Sequence, residues 1–197
     1  CGYSPGAIDL ETWVSALKRE KDYDLGSPDA PPAERLRHAL SRFDDDFSAL
    51  AEAARNRPES RFPPQKGETS VERRVRTIEA YPPNILGFHE FLAMKGIVAI
   101  ETNDPAAALE CLRIQLRYAQ AFDAESNLMA VLLRAGCFTM MKTVIHHGLF
   151  RDSWSEDDLE WIEQQLADID FYDHFLRAAR GELSFYLAAF DHFNTTG

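Results

Sequence analysis

An all-α fold, an antiparallel helical bundle or a short helical solenoid, is what this sequence predicts, and three observations carry the prediction. Segment after segment repeats its apolar residues at spacings of three and four, the period of one helix face. Helix-start signals stand in front of these segments: Asp104 before Pro105, and Ser155 with Asp158 three residues on. No stretch reads as a convincing strand. The segment VRTIEAY (75–81) admits an extended alternative to a short helix.

In order, residues 1–7 (CGYSPGA) read as an N-terminal tether and 8–197 as a single helical domain. Ile8 to Lys18 is a short amphipathic helix with Ile8, Leu10, Trp13, Val14 and Leu17 on its apolar side. Lys21 to Pro32, rich in Asp, Gly, Ser and Pro, is a loop. Ala33 to Arg55 reads as one helix, because Leu36, Leu40, Phe43, Phe47, Leu50 and Ala54 make a single stripe. Asn56 to Ser70 is a Pro-rich connection, and Thr69 to Glu72 fits a capping box ahead of a short helix over 70–80. Helices follow over 86–102 and 105–122, the second with Asp104 as cap, Pro105 at its first position and apolar residues on two sides. Asn127 to Phe150 is apolar on nearly every side, the mark of a membrane span or of a buried central helix. Arg134 and Lys142 inside the run favour the central helix, since a charge near mid-membrane costs roughly 2.5–3.5 kcal/mol. Leu159, Ile162, Leu166 and Ile169 keep helical spacing behind Ser155, and an aromatic helix over 170–193 closes the chain.

Charge and composition exclude some functions. The chain has 197 residues, 45% apolar, with 10 Gly and 10 Pro, which suits one globular domain. Its 32 acidic and 21 basic residues leave −11, with none of the clustered cation a nucleic-acid partner requires. The same charge repels anionic lipid, so membrane contact needs an anchor. Cys1 followed by Gly2 is what cleavage of a bacterial lipoprotein precursor leaves, which predicts lipid on Cys1 and an extracytoplasmic, membrane-anchored protein. The alternative is an arbitrary cut in a longer, cytoplasmic chain, and the domain could equally continue beyond Gly197. Cys111 and Cys137 lack paired zinc spacing and default to buried thiols. They stand at similar heights on either side of the turn near 123–124, so a disulfide is open geometrically if their Cα atoms lie within about 7 Å.

The segment Glu90 to Ala119 (EFLAMKGIVAIETNDPAAALECLRIQLRYA) resembles a tetratricopeptide-type helical hairpin, with Ala93, Gly96 and Ala99 lining its first helix. Over roughly Arg57 to Phe190 the order of Arg61-Phe62-Pro63-Pro64, this hairpin, the long apolar helix, the Trp154–Leu159 helix start and Leu176 to Glu182 is similar to a family of uncharacterised bacterial secreted or membrane-anchored all-helical proteins. That resemblance implies no activity, and it implies that chains can continue well beyond the matched region.

Candidate chemistry is sparse. Adjacent His146 and His147 diverge by about 100° on a helix and do not share a metal. Asp173-His174-Phe175 and Asp191-His192-Phe193 recur 18 residues apart, about 27 Å along a helix, and share no site; the recurrence reads as chance or as a polar edge. Asp173, Arg177, Arg180 and Ser184 form a polar stripe, a solvated edge with local ion pairs, or a carboxylate-binding fork through Arg177 and Arg180. No nucleophile, phosphate loop or metal motif stands out, so no catalytic residue, metal or cofactor is expected. The last helix has two apolar stripes. One (Tyr172, Leu176, Ala179, Leu183, Tyr186, Phe190) suffices to dock it on the bundle. The other, Phe-rich stripe (Phe171, Phe175, Phe185, Phe193) is then open to a protein partner.

Two functions compete. The first is a non-enzymatic helical interaction or scaffold module, a lipid-anchored subunit of a bacterial cell-envelope complex. The second is a helical enzyme or small-ligand binder with its pocket among the aromatics and histidines of 138–193. A deep pocket with converging polar groups would favour the second.

Overall fold

The computed structural model describes residues 8–20, 22–56, 85–167 and 169–196, with the side chains of 192, 193, 195 and 196 outside the description. Among the described residues there are eight α-helices and no strand. They are α1 (Leu10–Arg19), α2 (Pro32–Leu40), α3 (Asp44–Asn56), α4 (Ile85–Glu101), α5 (Pro105–Gln120), α6 (Leu128–Phe150), α7 (Glu156–Ala167) and α8 (Phe171–Thr196). The tether with Cys1, the capping box at Thr69 to Glu72 and the helix expected over 70–80 lie outside the described residues.

Helices α4, α5 and α6 pack on one another and form the core; α2 lies on α4, α3 on α5, α1 on α2, and α8 on α6. The α4–α5 turn is built from its sequence. Asn103 takes a left-handed φ of 60°, a conformation Asn tolerates better than most residues. The Asp104 N–H then donates to the Ala99 carbonyl at 2.8 Å, and the Asp104 carboxylate caps α5 by accepting from Ala107 N–H at 3.0 Å. Gly96 lets α6 approach α4, since a Cβ there would stand 3.0 Å from Val144 Cγ1. Ile97, Leu112, Val144 and Trp154 fill the layer between the three helices. Each large side chain so buried contributes about 1.5–3 kcal/mol. The start of α7 is the expected reciprocal cap: Ser155 N–H donates to Asp158 Oδ2 at 3.0 Å and Asp158 N–H to Ser155 Oγ at 3.2 Å.

Two expectations need correction. The single helix over 33–55 is broken by a 3₁₀ turn at Ser41–Phe43. Ser41 Oγ donates to the His38 carbonyl at 2.7 Å, and Asp44, Asp45 and Asp46 crowd the new first turn, where unpaired N–H groups favour negative charge. The helix at the centre is α4 rather than α6. Helix α4 lies among α2, α5 and α6, whereas α6 turns Leu128, Leu132 and Phe150 outward. By length and composition α6 is also long and apolar enough to cross a membrane.

Candidate functional site

Helix α8 is held to α6 by a polar lock in an apolar setting. Asn127 opens α6 by accepting from Ala130 N–H at 2.8 Å. Arg134 follows two turns on, buried, with its guanidinium flanked by the Phe138 and Phe171 rings at 5.5 and 5.3 Å. Its Nε lies 2.7 Å from Asp123 Oδ1; the N–H is not directed at that oxygen, so the contact is an ion pair without a hydrogen bond. Arg134 Nη1 donates to His174 Nδ1 at 3.3 Å, and arginine can only donate. Nδ1 of His174 therefore accepts, and the ring proton sits on Nε2, which donates to the Glu125 carbonyl at 3.2 Å. Burial pushes the pKa of both Arg134 and His174 down, and the neighbouring guanidinium pushes His174 further the same way. His174 is thus a neutral, buried part of the lock and not the polar edge the sequence suggests.

Two more contacts fix the register of α8. Gly181 passes so close to Ser126 that a Cβ would collide with the Ser126 carbonyl oxygen, and Glu182 Oε1 accepts from Leu128 N–H at 3.0 Å. The inward face of α8 is therefore His174, Ala178 and Gly181. The face turned away carries Tyr172, Leu183, Tyr186, Leu187 and Phe190, which are 73, 62, 57, 58 and 68% exposed. At 100° per residue these five fall within an arc of about 100°.

Neither stripe of α8 takes the role expected of it, since the inward face is that of His174, Ala178 and Gly181. Residues Tyr172, Leu183, Tyr186 and Phe190, expected to dock the helix on the bundle, point outward. Of the Phe-rich stripe, Phe171 stacks edge-on against Phe138 at 5.3 Å, Phe175 is half exposed and Phe185 is half-buried; the Phe193 side chain lies outside the described residues. The polar lock draws the helix toward His174 and so rotates the Phe-rich stripe to the flank. Arg177 pairs with Asp173 at 2.9 Å and donates to the Asp123 carbonyl at 3.2 Å, and Arg180 is exposed.

The remaining candidate groups are structural. His147 and Arg151 both reach Glu101 Oε1 at 2.7 Å and tie the end of α6 to the end of α4. Trp154 N–H donates to the Ile145 carbonyl at 3.1 Å and lies on Gly148, where a Cβ would overlap its ring. Cys111 and Cys137 are free, buried thiols, and burial pushes both pKa values up to about 12. Among the described residues, no group of three or more His, Cys, Asp or Glu side chains is placed to hold a metal ion.

A cavity of about 800 Å³ opens elsewhere, at the other side of α4, among the loop 25–30, α2, α3 and the start of α5. None of its described lining residues comes from 138–193, where a pocket was expected. No family model, curated protein or solved structure matches the chain.

Two signals for this arrangement are present in the sequence. An arginine in an apolar run needs a counter-charge, and Asp123 and Glu125, in the turn just before α6, are the two acids nearest in sequence on that side. Gly181 marks a close helix crossing and fixes which face of α8 turns inward.

Proposed function

We propose that this chain is a non-enzymatic interaction module that docks a basic amphipathic helix of another protein on the outer face of α8. One observation carries this proposal: Tyr172, Leu183, Tyr186, Leu187 and Phe190 are each more than half exposed on one side of a helix whose other side is locked in place. Single exposed apolar residues are ordinary on a protein surface, whereas a contiguous row of large ones marks an interaction site. Aromatic anchors on a rigid helix suit helix-against-helix recognition, with the apolar stripe of the partner meeting the row.

Charge selects the partner. At −11 the chain repels a second copy of itself and attracts a cationic segment. The Asp173–Arg177 pair cancels, which leaves Asp170, Glu182 and Asp191 against Arg180 on this helix. Of the described histidines, His89, His147 and His174 are buried among packed helices, His146 is half-buried, and the exposed His38 is paired with Asp24.

The test is a titration with a synthetic leucine–lysine amphipathic helix, compared for the parent chain and the double variant Leu183→Glu/Tyr186→Glu. Binding should be saturable for the parent and lost in the variant, with the thermal midpoint unchanged. A variant that unfolds places these side chains in a core and refutes the proposal. Concentration-dependent self-association of the parent at low salt would make a second copy the occupant instead.

A further inference from the structure

Among the described residues, one cation of the cavity beside α4 has no ion-pair partner. Arg35 of α2 lines it, and its Nε is buried without a hydrogen-bond partner among the described residues. The other cations of the wall are matched. Arg37 bonds to Glu34 through both Nε and Nη2, at 2.9 and 2.5 Å. Lys95, on the opposite wall, reaches Asp44 Oδ1 at 2.7 Å and lies over the Phe47 ring at 4.9 Å. The third acid of the wall, Asp104, is engaged as the cap of α5. An Nε–H buried in a cavity wall with no acceptor among the described residues has given up the hydrogen bond it would make to water, and a bound anion would supply one.

We infer that this cavity binds a small organic monocarboxylate with an apolar body, its carboxylate held by the Arg35 guanidinium. Arginine presents parallel donors that match a carboxylate in two-point fashion. Leu40, Val98 and Ala99 give the apolar floor. A volume of about 800 Å³ lies in the range of small-molecule sites, roughly 300–1,000 Å³. The pairing sets the ligand charge: with Arg37 on Glu34, Lys95 on Asp44 and Asp104 engaged as a helix cap, Arg35 alone among the described cations of the wall faces the ligand, which suits one carboxylate better than two.

The roof of the cavity is fastened. Gly26, at φ +63°, carries the His38 ring against its Cα, and Asp24 accepts from Gly26 N–H at 2.9 Å and pairs with His38 Nε2 at 3.1 Å. Arg42 also donates to the Asp22 carbonyl, which ties the loop to the turn after α2. The site is thus built before a ligand arrives.

Octanoate and octanol are the probes, followed by amide chemical shifts and calorimetry on the full chain. Octanoate should give saturable shifts confined to the loop 25–30, α2, α3 and α4, and octanol should bind at least about tenfold more weakly, the loss expected from removing a charge-assisted pair. Arg35→Gln should weaken octanoate by a similar factor while raising or preserving the thermal midpoint, because an unpaired buried donor group is removed. A purely structural Arg35 would lower that midpoint. Ser48→Trp, at an exposed position of α3 on the cavity wall, should fold normally and abolish the octanoate shifts. Absence of saturable octanoate binding, equal binding of octanol, retained affinity in Arg35→Gln or Ser48→Trp, or shifts confined to α8 would each overturn the inference.

Discussion

Asp123, in the turn before α6, stands 2.7 Å from the guanidinium of Arg134 inside that helix, and the pair joins α6 to α8 through His174. An otherwise apolar helix thereby carries a buried charge with its neutraliser supplied from its own N-terminal turn. Removing the carboxylate leaves the cation uncompensated, which costs 3–5 kcal/mol for a fully buried pair. The Asp123 side chain is 41% exposed, so solvent recovers part of that. Asp123→Ala should lose about 1–3 kcal/mol in urea denaturation, and Asp123→Ala/Arg134→Met should regain most of it. A double variant no more stable than the single one would show that the loss does not come from leaving Arg134 uncompensated.

His89 sets the acid limb of stability. It is fully buried against Phe88 and Tyr118, neither ring nitrogen has a hydrogen-bond partner among the described residues, and burial pushes its pKa from 6.5 down to about 4. The unfolded chain then binds the proton more readily than the folded one. Stability is therefore fully present above pH 6.5 and falls as pH drops from about 6.5 through about 4, by up to about 3 kcal/mol at 1.36 kcal/mol per pKa unit. The depressed pKa of His174 acts in the same direction. His89→Leu should flatten the larger part of this limb in denaturant midpoints taken across that range; an unchanged slope would assign the acid sensitivity to other groups.

The thiols give a kinetic prediction. Cys111 and Cys137 are fully buried and lifted to about 12, so the reactive thiolate is scarce and inaccessible in the folded state. Ellman's reagent should leave both untouched in the native protein and titrate two thiols, besides Cys1, after unfolding. Rapid native labelling of either one would mean that the α4–α5–α6 core opens far more easily than its packing implies.

Local signals make the helices legible, and partner choice is where legibility ends. The Asp104–Pro105 and Ser155–Asp158 starts depend on residues within one turn, and both caps form as their spacing dictates. The break at Ser41 escapes a stripe count because Leu36, Leu40, Phe43 and Phe47 keep helical spacing across it, while the side-chain competition for backbone groups that makes the break is not periodic. Apolar residues all round α6 mimic a central helix, but how many sides are covered depends on the neighbours, and Leu132 is left facing out. On α8 both stripes are apolar, so periodicity cannot say which one docks; Arg134, His174 and Gly181 decide it through tertiary contacts. Arg35 is likewise one arginine among many until the fold surrounds it with matched ion pairs.

The most direct test of the proposed docking face is a residue-by-residue map of amide shifts on the full chain, titrated with the leucine–lysine helix and with its leucine–glutamate counterpart. The account predicts saturable shifts centred on Tyr172, Leu183, Tyr186, Leu187 and Phe190 for the basic peptide, and binding of the acidic peptide weaker by at least about tenfold, a difference of 1.4 kcal/mol. Equal affinity for both peptides, or shifts spread over helices other than α8, would contradict it.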